Sequence, residues 1–327
     1  MIKGVVITTT GRQLPEKIIH NNDMIQYSEE ARQLISKKTG VFARRVALES
    51  ECTSDLAAKA ALNCLGKIAF SPEQIDGIIL STSSPDRMQP ATATRVQHMI
   101  GARKSFAFDI NSVCAGSVFG IAMADALIRT EKYQNILFIA AEMYSKILNK
   151  NDFSTYPFFG DGAGAILFQA DRTSSGGVLH SCLRTDGSAS NTICVPAGGT
   201  MMPYAKMTSE RSAYFRMKGI DVFTFAVEKS CEIIMQLISD AGVSLSDVKC
   251  FVCHQANVNI IQSIAGTIGV SAGLFYMNLD RYGNTASASI PIALDEALTD
   301  GIITSGDLVV TVAFGGGLSW GANLIRI

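Results

Sequence analysis

Two periodicities organise the chain. Short apolar runs bounded by turn residues predict strands over Val5–Thr9, Gly77–Thr82, Ala107–Ile110, Asn135–Ala141 and Gly164–Gln169. Further runs follow at Gly177–Leu183, Lys249–His254, Asp307–Phe314 and Leu318–Ile327. Between them, apolar residues recurring every three to four positions predict helices over Thr53–Leu65, Ala91–Ile100, Cys114–Arg129, Val222–Ala241, Asn257–Ile268 and Ala286–Leu298. Strands alternating with helices of this length imply an α/β fold with crossover connections and a largely parallel sheet. The helices starting near Cys114 and Thr285 are rich in Ala, Ser, Gly and Ile on nearly every side, which predicts burial at the centre.

The pattern also repeats. SPEQIDGIILST (Ser71–Thr82) resembles SLSDVKCFVCHQ (Ser244–Gln255), 173 positions later. The run from Asp109 to Ala115 resembles that from Asp280 to Ala286, 171 positions later, a register that also pairs Ala122 with Ala293 and Leu127 with Leu298. Each half closes on a glycine-bearing apolar segment, FFGDGAGAILF and then AFGGGLSWGANLI. The spacing is too long for a solenoid. It predicts two copies of one unit, residues 1–172 carrying a candidate thiol nucleophile and residues 173–327 carrying His and Asn partners.

Composition narrows the class. Of 327 residues, 47% are apolar and 17% charged, with a formal net charge of −1. That excludes a disordered chain and gives no basic field for nucleic acid. No apolar run approaches the 18 or so residues that span a bilayer, and MIKGVVITTTGRQLPE does not read as a secretory signal. The expectation is a soluble cytoplasmic protein with no membrane or nucleic-acid partner. The eight cysteines are too sparse for a disulfide scaffold. Cys250-Phe-Val-Cys253-His254 matches a haem-attachment spacing, but period-2 alternation points the two thiols to opposite faces. Neither a metal nor a cofactor is expected.

Three segments carry candidate chemistry. Cys114, in NSVCAGSVFG, falls where a strand ends and a buried helix begins. Free N–H groups and the helix dipole there favour thiolate, while a structural buried cysteine fits the same position. His254, in CHQAN, follows the strand equivalent to Ile78–Leu80, at the end where parallel sheets assemble sites. Asn284, in YGNTASAS, comes one residue before the position that the 171 register pairs with Cys114. His20, His98 and His180 have no comparable context. Gly315-Gly316-Gly317 reads either as a tight turn or as a loop that brings N–H groups to a reacting oxygen.

These segments, with GRQLPE, KKTGVFARR, FGDGAGA, RYGNTASASIP, ALDEAL and FGGGLSWG, resemble the 3-oxoacyl-(acyl-carrier-protein) synthase III group of the thiolase-like superfamily over essentially the whole chain. The resemblance implies two duplicated halves in α-β-α-β-α layers and a homodimer. It implies Cys114 as the acyl-accepting nucleophile, and His254 and Asn284 as the pair that binds the malonyl thioester carbonyl during decarboxylation. The N–H groups of Cys114 and Gly316 would form the oxyanion hole. Substrates would be acyl-coenzyme A or acyl-carrier-protein thioesters.

The periphery departs from the family pattern. Leu34 stands where a Trp stacks on adenine, and Lys38 replaces an Arg and loses its planar fork. Phe153 replaces a second nucleotide-binding Arg, and Asn259 a basic residue. Ala265 and Gly266 replace carrier-docking lysines, and Gln89, beside Met88, an aromatic that closes the acyl pocket across the dimer. Arg216 and Lys218, in YFRMKG, are alternative contacts for an anionic handle. The expectation is a ketosynthase III-like enzyme of specialised or polyketide metabolism, condensing an acyl-Cys114 with a malonyl or β-ketoacyl thioester. Alternatives are a non-decarboxylating acyltransferase to an alcohol or amine, and a non-catalytic partner subunit, which the intact Cys-His-Asn set opposes.

Overall fold

A computed structural model describes residues 2–173 and 176–327. Nine strands form its sheet: β1 (Gly4–Gln13), β2 (Gly77–Ser81), β3 (Phe106–Ile110), β4 (Asn135–Glu142), β5 (Gly162–Asp171), β6 (Gly177–Thr185), β7 (Val248–Cys253), β8 (Leu308–Gly315) and β9 (Ser319–Arg326). Their order is β3-β2-β4-β5-β1-β6-β9-β8-β7. The central β1–β6 contact is one parallel pair, Val5 with Gly177. Counted from its own start, each side runs 3-2-4-5-1. Beyond β7 the third place is held by Phe275, which makes a single parallel bridge to Phe251.

The sheet is mixed, where the sequence pattern suggested a largely parallel one. β2 is parallel to β3 and β4, and β7 to β8. β5 runs antiparallel to β4 and β1, and β9 to β8 and β6. Connection length explains the difference. β8 and β9 are joined by Gly316–Leu318, too short for a crossover, and the segment from β4 to β5 holds only single 3-10 turns.

Seven helices matter for the site: α1 (Glu29–Thr39), α2 (Thr53–Gly66), α3 (Thr92–Met99), α4 (Gly116–Arg129), α5 (Gly219–Ala241), α6 (Val258–Ile268) and α7 (Ser289–Thr299). Strand alternation sorts side chains into three cores. Ile79 of β2 and Cys250 of β7 face a central cluster with Val118 and Ile121 of α4 and Ile292 and Leu294 of α7. Ile78 and Leu80 face outward to α2 and α3, while Phe251 and Cys253 face outward to α5 and α6. Cys250 and Cys253 therefore lie on opposite faces, as their spacing predicted. The five layers follow from these three cores.

Helix α7 is less apolar than its surroundings suggest, since Asp295 and Glu296 are buried on it. Thr10 Oγ1 and Lys67 Nζ donate to Asp295 at 2.7 and 2.5 Å, and Arg12 also reaches it. Tyr282 and Asn278 donate to Glu296 at 2.6 and 2.8 Å. Burying such carboxylates is tolerated because every one has donors. Helix α1 escapes the periodicity argument, because only Ile35 and Thr39 of EEARQLISKKT are buried. Its caps were readable: Ser28 accepts from Ala31 N, acids open it, lysines close it, and Gly40 ends it at φ +78°. Among the described residues, no helix is long and apolar enough to cross a membrane.

Candidate functional site

The two central helices begin in the same unusual way. Val113–Ala115 forms a 3-10 turn before α4, and Ala286–Ala288 forms one before α7. The first residue of each, Val113 and Ala286, has φ +47°, a left-handed conformation unfavourable to a side chain bearing Cβ. Cys114 occupies the second position of the first turn, so its counterpart is Ser287, 173 residues on. The 171 register instead pairs it with Thr285, because that alignment matches strand β3 to the helical turn Leu279–Tyr282. Close packing fixes the first turn: a Cβ on Gly315 would stand 2.8 Å from the Cys114 nitrogen, and one on Gly116 would stand 1.9 Å from Ser81 Oγ.

Cys114, His254 and Asn284 line one cavity of about 540 Å³. His254 sits just past β7, its N–H donating to the Val312 carbonyl at 2.8 Å. Its Nδ1 lies 2.8 Å from Ser289 Oγ, which also accepts from the Gln255 N–H at 3.3 Å. A serine that donates its own proton to Nδ1 leaves the imidazole hydrogen on Nε2. Burial drives the His254 pKa down to about 3, so the ring is neutral. Asn284 is clamped through its backbone: its N–H donates to Phe158 O at 2.8 Å, and its carbonyl accepts from Gly160 N at 3.0 Å. Its Oδ1 accepts from Ala286 N at 2.8 Å, which leaves the NH2 end for a ligand. Two neutral polar side chains thus share the cavity with one thiol.

The thiol itself corrects an expectation. Burial, followed by the nearby Glu142 charge, pushes the Cys114 pKa well above the ordinary thiol range, so the helix start does not yield a resting thiolate. Glu142, at the end of β4, is fully buried and was not picked out from the sequence. Ser84 Oγ donates to it at 2.6 Å, Ser287 Oγ at 2.7 Å and Ser83 N at 3.1 Å. The hydroxyl at the Cys114-equivalent position is therefore committed to a carboxylate from the other half. Tyr144 stacks on Phe159 at 4.8 Å, and Phe215 packs edge-on to both at 5.3 and 5.2 Å. This aromatic wall shares an apolar cluster with Cys114. Long-range contacts assemble it, and no local motif announces it.

The peripheral candidates separate. Lys38 and Asn259 line the cavity; Asn259 Nδ2 donates to the Lys38 carbonyl at 2.7 Å, tying α6 to α1. Gly315 lines it, whereas Gly316 lies just behind, buried near Val113 and Ile193. Phe153 packs edge-on to Tyr27 at 5.1 Å and does not line the cavity, although Ser154 does. Leu34, Met88, Gln89 and Lys218 are exposed and do not line it either. Arg216 is exposed in a separate polar pocket with Arg211 and Asp152.

Two family models match: 3-Oxoacyl-[acyl-carrier-protein (ACP)] synthase III over residues 108–187, and its C-terminal model over residues 238–327. A beta-ketoacyl-[acyl-carrier-protein] synthase III of Symbiobacterium thermophilum is 41% identical over 99% of this chain and 98% of its own length. That of Clostridioides difficile is 41% identical over 98% of this chain and 97% of its own. The crystal structure of 3-oxoacyl-[acyl-carrier-protein] synthase III from Aquifex aeolicus superposes with TM-score 0.90 at 35% identity, covering 99% of this chain and 100% of that one.

Proposed function

Because the chain belongs to the 3-oxoacyl-(acyl-carrier-protein) synthase III family, we propose that it carries an acyl group on Cys114 and extends it by decarboxylative condensation. It is an acyltransferase-class enzyme with the thiolase-like fold. In the first half-reaction the Cys114 sulfur attacks the acyl thioester carbonyl. The new S–C bond replaces the old one, and the thiol proton leaves with the departing thiol. The start of α4 favours the charge that grows on sulfur and on the carbonyl oxygen, with N–H groups of Cys114 and Gly316 as the oxyanion donors.

In the second half-reaction the malonyl C–CO2 bond breaks, and its electrons form a thioester enolate. Its oxygen accepts from His254 Nε2–H and Asn284 Nδ2–H. The enolate carbon then attacks the acyl carbon, the bond to Cys114 breaks, and the thiolate takes up a proton. The observation that carries this reading is that both donors are oriented before any substrate arrives, His254 by Ser289 and Asn284 by the Ala286 N–H. Preorganised donors are what an enolate needs, each worth roughly 3–4 kcal/mol.

The aromatic wall of Tyr144, Phe159 and Phe215 supports a short acyl chain. The replaced residues Lys38 and Asn259, which line the cavity, support a donor or carrier unlike the housekeeping one, in specialised or polyketide metabolism. The half-exposed edge strand β3, with Phe106, Phe108 and Ile110, supports pairing with a second copy in a cytoplasmic homodimer. The 3-2-4-5-1 order on each side supports a division near residues 172 and 173.

Intact-protein mass spectrometry after incubation with acyl thioesters tests the first step. An adduct on Cys114 is expected, and its absence across short, long and aromatic donors on either carrier would sink the reading. H254A and N284A should acylate normally yet release no carbon dioxide from a malonyl thioester. Acyl-enzyme that reacts with alcohols or amines without such release would favour a non-decarboxylating acyltransferase.

A further inference from the structure

A cluster of metal-ligating side chains lies outside the cavity, on the outer face of the second half. His180 and Cys182 stand two residues apart on β6, so alternation points both to the same side, toward α5. Asp240 lies in the last turn of α5. His180 Nε2 is 3.7 Å from Asp240 Oδ2, and Cys182 Sγ is 3.8 Å from the same oxygen. All three ligand atoms fall within 4.8 Å of one another. None of these residues lines the cavity at Cys114.

Only weak hydrogen bonding links the three side chains, with Cys182 Sγ donating to Asp240 Oδ2 at 3.8 Å. A 3.7 Å nitrogen–oxygen separation is too long for a proper hydrogen bond. Among the described residues, Asp240 accepts a long contact from Gln236 Nε2 at 3.4 Å and a weak one from Cys182 Sγ at 3.8 Å, while Arg184 is turned to Gln236 Oε1. The carboxylate also sits at a helix C-terminus, where the dipole disfavours an anion and favours a cation. A zinc ion bound at about 2.3 Å to sulfur and about 2.0–2.2 Å to nitrogen and oxygen holds tetrahedral neighbours roughly 3.3–3.7 Å apart. The two separations to Asp240 Oδ2 approach that spacing.

The frame is also suitable. β6 is held between β9 and β1, and Cys182 is 5% exposed within the outer core. His180 and Asp240 are more open, which gives an ion a path in and leaves its fourth position to water. We propose that His180, Cys182 and Asp240 form a binding site for a divalent metal of zinc type, which clips the C-terminal turn of α5 to β6. On binding, the thiol proton of Cys182 is released to solvent and a sulfur–metal bond replaces the S–H bond; no redox change is involved. Imidazole, thiolate and carboxylate together select such a borderline ion over magnesium or calcium. The other end of α5, at Gly219, Ile220, Val222 and Phe223, walls the catalytic cavity, so the clip braces that wall.

The test uses the full chain, washed with chelator and titrated with cobalt(II). A near-ultraviolet thiolate-to-cobalt charge-transfer band should saturate at about one equivalent and disappear on adding zinc. C182S should abolish the band, and H180A and D240A should weaken binding about tenfold or more. Zinc should also raise the Tm of the unaltered protein, and that of H180A by less at the same zinc concentration, a readout that does not depend on the C182S fold. No band, or one that survives C182S and H180A, overturns the proposal.

Discussion

At the scale of single residues, protonation states govern the chemistry. His254 is neutral because it is buried, and Ser289 Oγ holds its Nδ1 at 2.8 Å. S289A should leave acylation of Cys114 near its normal rate while lowering the condensation kcat about tenfold, the value of one lost hydrogen bond. S289T should restore most of it; equal losses in both half-reactions would make Ser289 merely structural. The depressed His254 pKa also has a stability consequence. Between about pH 3 and the unfolded value near 6.5, the unfolded chain binds the extra proton, so folding stability is full above that window and falls as pH drops through it. The slope is at most about 1.4 kcal/mol per pH unit from this group. H254Q should flatten that limb in urea titrations at several pH values; an unchanged slope would show that the imidazole does not titrate differently on folding. The raised Cys114 pKa predicts that alkylation by iodoacetamide keeps accelerating past the ordinary thiol range. A plateau below neutral pH would contradict it.

At the scale of elements, the fit between β2 and α4 holds the turn that carries Cys114. Ser81 Oγ is buried without a hydrogen-bond partner and faces Gly116, where an added methyl would collide with it. G116A should cost about 1–3 kcal/mol, and S81A in the same chain should recover part of that loss. Thermal unfolding of the two variants decides it, and failure of S81A to help would place the clash elsewhere. The elements differ in how legible they were. Strands and amphipathic helices announce themselves through local period, so the predicted segments correspond to strands and helices of the fold. Strand direction depends on connection geometry, which is why the antiparallel β5 and β9 were not anticipated. Cys114, His254 and Asn284 were legible because each belongs to a motif at an element boundary. Ser289, Glu142 and Tyr144 were not, since their roles arise from partners far away in sequence, such as Ser287 for Glu142.

At the scale of the whole molecule, β3 leaves one sheet edge unpaired, with Phe106, Phe108 and Ile110 only half covered. F108D should yield a monomer in sedimentation equilibrium while the unaltered chain runs as a dimer; a monomeric unaltered chain at micromolar concentration would rule out this edge as the contact. The paired 3-10 turns carry a wider lesson. The molecule contains this turn twice, and of the two central residues only Cys114 lines the cavity. Cys114 opens onto a cavity, whereas Ser287, in the same strained turn, is sealed against Glu142 and serves as mortar between the halves. The second turn is in effect an internal control: the same backbone shape set away from the cavity. It separates what the turn provides, which is position, from what the surroundings provide, which is reactivity. A thiol moved to position 287 would have the right address and no visitors.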